Sequence, residues 1–206
     1  MKLNCVIDTC SCINMSNALF NKKTLLQYLN TTADLNYSPE VEKELRDHRS
    51  KNLPTFIYHR KRKLSTARFT MNEYERRMIG KVLESRKKNG DKGEVDNLIL
   101  AIDQTHHFKK NTITFICDDE KALNGVLKDW LLSFPVINVW TTYEVILHLY
   151  AEKIIPSKDI AVELVKEVIS FTSPKPTERS EKTTKKVTNL LSDYNYRIEK
   201  ISNLYS

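Results

Sequence analysis

The sequence predicts an α/β fold in which a mostly parallel sheet is covered by helices. Three observations carry this expectation. Short apolar runs of strand length recur along the chain, each is followed by a stretch of helical periodicity, and the runs at 3 to 8 and 112 to 118 both stop at aspartate. Parallel neighbours need a crossover between them, usually a helix, so a β-α-β-α alternation leaves few other architectures.

The elements follow in order. LNCVID, 3 to 8, is an apolar run ended by Asp8 and a turn-like Thr-Cys-Ser; it reads as a buried strand, with Ser11 placed to cap the next helix. Leu25, Leu26 and Leu29 give 23 to 30 a helical period, and ADLNYS, 33 to 38, reads as a second strand. SPEVEKEL carries helix-start signals, with Ser38 at the N-cap, Pro39 at the first helical position and acids in the first turn; that helix is expected to reach about Ser50. Residues 53 to 90 are predicted helical and polar, with the run HRKRK at 59 to 63 and a further helix in NEYERRMIGKVLESRKK. GDKGEVDNLILAIDQTHHF reads as a glycine-containing loop leading into an apolar helix. A β-branched strand at 112 to 118, a helix over 120 to 132, a fourth strand at 136 to 141 and helices over 142 to 151 and 157 to 171 complete the pattern.

After Thr172 the composition changes to SPKPTERSEKTTKK, a polar linker, so the expected division is a domain over 1 to 172 and a tail over 173 to 206. In that tail Val187, Leu191, Tyr194, Ile198, Ile201 and Tyr205 recur at spacings of four and three, the stripe of an amphipathic helix. An isolated helix of this length is marginal in water, so the stripe predicts burial against the chain's own domain, another protein or a second copy. Its two tyrosines favour the first two.

Composition sets further bounds. With 40% hydrophobic residues, 4 Gly and 6 Pro, the chain is globular. No apolar stretch approaches the ~18 residues of a spanning helix, and Cys5, Cys10, Cys12 and Cys117 lack zinc spacing and read as reduced core residues; a cytoplasmic protein without membrane partners is expected. The net charge of +7 is unevenly spread: residues 46 to 92 hold 15 Lys and Arg against 5 Asp and Glu, leaving the rest slightly acidic. That segment predicts a polyanionic partner, with Arg60, Lys61, Arg62 and Lys63 as phosphate contacts and Phe56, Tyr58, Phe69 and Tyr74 as surfaces for unpaired bases. A solvated helical face and buried aromatics account for the same residues equally well.

The chemistry lies in the acids. Ligands of parallel α/β sheets bind beyond the carboxyl ends of the strands, where Asp8 and the Asp118-Asp119 pair stand. Glu44, two turns into its helix, and Asp96, just after a glycine loop, are placed to face the same edge. Two carboxylates 5 Å apart repel by roughly 3 kcal/mol at an effective dielectric of 20, so convergence calls for a counter-ion. Oxygen ligands without His or Cys favour Mg²⁺ or Mn²⁺.

Over residues 3 to 172 the chain resembles the PIN-domain nucleases, more narrowly the VapC-like toxins and their relatives. CVIDTCSCI is similar to that family's first strand and aspartate, SPEVEKEL to its glutamate motif, KGEVDNLILAI to the helix with the third acid, and ITFICDDEKAL to the last strand and acid. The resemblance implies a Rossmann-like three-layer α/β/α fold and a ribonuclease hydrolysing RNA phosphodiester bonds with Mg²⁺ or Mn²⁺, as a toxin or defence effector restrained by an antitoxin or another protein. Asp8, Glu44, Asp96 and Asp119 are then the catalytic acids, with Asp118 a further metal ligand and Glu94 a secondary candidate. Asn97 and Asp103 depart from the family, which often has alanine there, and Asp103 reads as an exposed helix position. Two other readings stand beside this one. A PIN fold kept as a silent RNA-binding or assembly module needs no catalysis, and a haloacid-dehalogenase-like phosphatase would use Asp8 as nucleophile but wants aspartate where Cys10 stands.

Overall fold

The computed structural model describes residues 2–48, 53–59, 92–107, 112–125, 127–128, 131 and 136–205. The run Arg60, Lys61, Arg62 and Lys63 and the expected helix within 72–88 lie outside the described residues. In chain order the elements are β1 (Leu3–Ile7), α1 (Thr9–Asn17), β2 (Leu19–Phe20), β3 (Lys23–Thr24), α2 (Leu25–Thr32), β4 (Ala33–Asn36), α3 (Pro39–Asp47), a 3-10 turn (Thr55–His59), α4 (Lys92–His107), β5 (Ile113–Ile116), α5 (Glu120–Asn124), β6 (Ile137–Trp140), α6 (Thr142–Ala151), α7 (Lys158–Thr172), a 3-10 turn (Pro176–Glu178) and α8 (Glu181–Tyr205). The fold class is α/β and Rossmann-like, as the sequence predicts. No helix of the described residues is long and apolar enough to cross a membrane.

The chain divides into two compact units, one of Met1–Ile13 with Thr32–Trp140, the other of Asn14–Thr31 with Thr141–Ser206. The first contains a four-stranded sheet of order β4-β1-β5-β6, parallel at every pairing. β1 is central, with Cys5 opposite Leu35 on one side and Thr114 on the other. All four residues of β5, ITFI, are buried, which explains why this strand reads as a continuous apolar run rather than an alternating one. α4 packs on β1 and β5, and it is buried almost all round from Val95 to Gln104 because Val95, Leu98, Ile99, Leu100, Ala101 and Ile102 leave no polar face. The core of this unit joins those residues to Val6, Phe115 and Ile137.

The winding positions the site. From β1 the chain moves to β4 on one flank, then returns past β1 to β5 and β6 on the other. Connections leave β1 and β5 in opposite directions, so the ends of these two neighbours form a topological switch point. Asp8 N donates to Ile116 O at 3.0 Å and Cys117 N to Trp140 O at 2.9 Å, continuing the ladder to the residues that carry the acids.

Several expectations shift locally. The helix expected over 120 to 132 is interrupted after Asn124, where Gly125 turns the chain and a β-carbon would lie 2.6 Å from Lys121 O; Lys128 and Leu131 are again helical, with Leu131 N donating to Leu127 O at 3.0 Å. Asp103 is 2% exposed rather than on a wet face, since α4 has none to offer. Cys5, Cys12 and Cys117 are buried, but Cys10 is exposed.

In the second unit, β2 and β3 form a hairpin whose turn residues Asn21 and Lys22 have φ of 47° and 63°, the left-handed pair a tight two-residue turn requires. α6, α7 and α8 pack pairwise. α6 begins with a capping box between Thr141 and Glu144. The tail helix buries Tyr194 and Ile198, and Glu144 accepts hydrogen bonds from the Tyr194 hydroxyl and, at 3.1 Å, from Arg197 Nη1.

Candidate active site

Asp8 ends β1 and is completely buried. It precedes the first residue of α1 and occupies the cap position expected of Ser11: Ser11 lies inside the helix, and its backbone N–H donates to Asp8 Oδ1 at 2.6 Å. Asp8 Oδ2 is buried with no hydrogen-bond partner. Burial pushes the carboxyl up to about 6, with the Asp118 charge adding to the rise and hydrogen bonds from Ser11 and Cys117 opposing it.

At the end of β5, Asp119 caps α5. Its Oδ1 accepts from Lys121 N at 2.8 Å and Ala122 N at 3.0 Å. Asp8 and Asp119 therefore share a design: backbone N–H groups at a helix start hold one oxygen and leave the other available, and the positive helix end offsets part of the negative charge. Asp118, half-buried, stands between Cys117 and the cap.

Glu44 comes from α3, whose start follows the sequence signals: Ser38 at the N-cap accepts from Val41 N, with Pro39 next. Val41 and Leu45 face inward, which brings Glu44 to the side of the same surface. The Thr9 hydroxyl donates to Glu44 Oε2. Across from it lies Gly93, where a β-carbon would be 2.8 Å from both carboxylate oxygens of Glu44.

α4 supplies two further groups. Asn97 Nδ2 donates to Ile7 O at 2.7 Å while its Oδ1 accepts from Ser38 N at 2.8 Å, so one buried amide ties the end of β1 to the start of α3. Alanine there could make neither bond. Glu94 is pushed up to about 7, first by burial and then by the charges of Asp8, Glu44 and Asp119. Asp96, 6% exposed, lies about 200° around the helix from Glu94, on the opposite flank of the face that carries Gly93 and Asn97. Glu94 lies in the field of Asp8, Glu44 and Asp119, and Asp96 flanks the same helix face. Cys10 registers the same cluster: part of the residue is exposed, but its thiol is pushed up by partial burial and then by the charges of Asp8, Glu94, Asp119 and Asp118.

The donor chemistry suits a hard divalent cation, since it is all carboxylate. Two observations fit that ion, the uncommitted buried oxygen of Asp8 and the proton that burial, helped by neighbouring charges, keeps on Glu94 up to near neutral pH. As the side chains stand, among the described residues no three His, Cys, Asp or Glu lie close enough to hold a metal ion. No protein-family model, curated protein or solved structure matches the chain.

Proposed function

We propose that the chain is a metal-dependent ribonuclease of the PIN type that hydrolyses RNA phosphodiester bonds and serves as a toxin or defence effector. The observation that carries this reading is Asp8. A wholly buried carboxylate with one oxygen unpartnered, at a switch point and in the field of Asp118, is a costlier arrangement than capping α1 requires. Asp8, Asp96 and Asp119 would hold Mg²⁺ or Mn²⁺, with Asp118, Glu44 and Glu94 beside them. Such an ion supplies charge stabilisation to the phosphoryl oxygens and acidity to water.

The chain's own groups do the rest. Helix-start N–H groups fix Asp8 and Asp119 in orientation. Thr9 sets Glu44, which orients the attacking water. Glu94, raised by burial and by the charges of Asp8, Glu44 and Asp119, would give up its proton when the ion binds. In-line attack by water on phosphorus expels the 3′-oxygen and leaves a 5′-phosphate and a 3′-hydroxyl. The phosphatase alternative loses ground, because Asp8 has no exposed surface from which to attack a substrate.

One observation favours a second reading, a silent nucleic-acid-binding or assembly module: Asp8 and Asp119 already have structural employment as caps. Incubating the purified protein with transfer RNA, ribosomal RNA and single-stranded DNA, in Mn²⁺ or in chelator, separates the two. Mn²⁺-dependent RNA cleavage with 5′-phosphate ends is expected. Binding of RNA without cleavage, unaffected by chelator, would replace the nuclease reading with the module. Antitoxin binding, self-association and phosphate contacts from Arg60 to Lys63 belong to the same proposal.

A further inference from the structure

We infer that Gly93 is a positioning residue, the clearance that seats the Glu44 carboxylate against the Thr9 hydroxyl; this rests on the carboxylate-site reading above. Glu44 is a long, flexible side chain reaching in from α3, and nothing in its own helix fixes where its carboxylate ends. Two features of neighbouring elements do. The Thr9 hydroxyl, on a residue 5% exposed, donates to Oε2. On the other side the first turn of α4 presents Gly93, which is buried.

The contact geometry makes glycine specific at this position. A β-carbon on Gly93 would meet Oε1 and Oε2 at 2.8 Å and Cδ at 3.1 Å, where ordinary contact begins at 3.4 Å. Any side chain would therefore drive the carboxylate back by about 0.6 Å or more. The obstructing atoms are the far end of a flexible chain, so the fold gives way there at little cost. Alanine is also a better helix former than glycine, so neither helix should suffer. What changes is the place of one carboxylate relative to Thr9, Glu94 and Asp8. A shift near 1 Å in a reacting geometry is worth about 10²-fold in rate.

The test compares wild type, Gly93→Ala, Glu44→Asp and the double variant. Crystal structures locate the Glu44 carboxylate, thermal melting reports the fold, calorimetry measures binding of Mn²⁺ alone, and single-turnover cleavage of RNA reports chemistry. Gly93→Ala should melt at or slightly above wild type, lose the Thr9 bond, and cleave about 10- to 100-fold more slowly at saturating RNA with the half-saturating RNA concentration unchanged. Aspartate is one methylene shorter and fits under the new methyl group. The added methyl should therefore cost little in the Glu44→Asp background, and the double variant should cleave within about threefold of Glu44→Asp. A Gly93→Ala crystal with Glu44 still on Thr9, a wild-type rate in that variant, or a methyl group that slows Glu44→Asp as much as it slows wild type would each overturn the inference. Absence of both Mn²⁺ binding and cleavage in wild type sinks the nuclease reading instead. The position of Glu44 in the Gly93→Ala crystal then decides the clearance by itself, displaced in support and unmoved against.

Discussion

Replacing Asp8 by Asn should stabilise the protein while removing its activity, and the size of the gain follows from the site. Burial and the Asp118 charge raise the Asp8 carboxyl from 3.8 to about 6. At about 1.4 kcal/mol per pKa unit, the ionised carboxylate costs the folded state about 3 kcal/mol at pH 7. A folded-state pKa raised above the unfolded value means that this contribution to stability is fully present below pH 3.8 and lost as pH rises through about 6. Glu94, raised from 4.5 to about 7, has the same sign over a window set slightly higher. Wild type in chelator should therefore melt higher at pH 5 than at pH 7.5. Asparagine keeps an oxygen for Ser11 N–H but brings an amide NH₂ into a space where Oδ2 has no partner, which returns part of the gain. The expected net is about 1 to 2 kcal/mol at pH 7.5, or roughly 3 to 6 °C in melting temperature for a chain of this size. The gap between the two pH values should narrow without vanishing, and Mn²⁺-dependent cleavage should fall by about 10² or more. An Asn variant that melts lower than wild type at pH 7.5, with the pH gap intact, would refute the account of Asp8 as a strained carboxylate.

Four other outcomes are expected. Asp119→Asn should retain stability, since asparagine caps a helix as well as aspartate, whereas Asp119→Ala should lose about 1 kcal/mol in urea unfolding; both should lose cleavage. Asn97→Ala leaves Ser38 N–H and Ile7 C=O buried without their partner, so its urea midpoint should drop by the equivalent of about 3 kcal/mol. Replacing Arg60, Lys61, Arg62 and Lys63 by alanine should weaken RNA binding and flatten its salt dependence, by about 0.7 in slope for each phosphate of a single strand that is no longer neutralised; unchanged affinity and slope would return the run to a solvated face. Ile198→Ala, at a fully buried position of α8, should cost about 2 to 4 kcal/mol, and a negligible change would show that the tail does not depend on its packing with α6 and α7.

The legible part of the sequence has a physical pattern. Strands buried on both faces appear as short apolar runs with abrupt polar ends, so β1 and β5 and the acids after them are read directly, as is α3 from Ser38 and Pro39. The hairpin of β2 and β3 is too short to carry a period, and the sequence gives no sign of it. α4 is recognisable as an apolar helix, but its phase is not, because moving a helix start by one residue turns every side chain by about 100°. The sequence therefore names Asp96 first and Glu94 second without saying which way either faces. A signal for Asn97 does exist: an amide amid Val95, Leu98, Ile99 and Leu100 must find partners in a core, and its departure from the family pattern points the same way. Gly93 is illegible, since clearance for Glu44 depends on a contact between residues nearly fifty positions apart.

The capping roles of Asp8 and Asp119 bear on whether structure or function explains these acids, and the two explanations are not exclusive. Serine, threonine or asparagine would cap α1 and α5 without bringing two charges toward Asp118 and Glu94. Capping alone therefore accounts for a polar residue at each position and not for an acid, least of all at Asp8, whose burial and neighbours raise its energy. Conversely, carboxylates gathered with no support would splay apart under repulsion, and a helix start that grips one oxygen with N–H donors holds the group in place while offsetting part of its charge. The caps are then the means by which the fold retains an acidic cluster at the β1 and β5 ends, and the excess charge beyond what capping needs is the part left for a ligand.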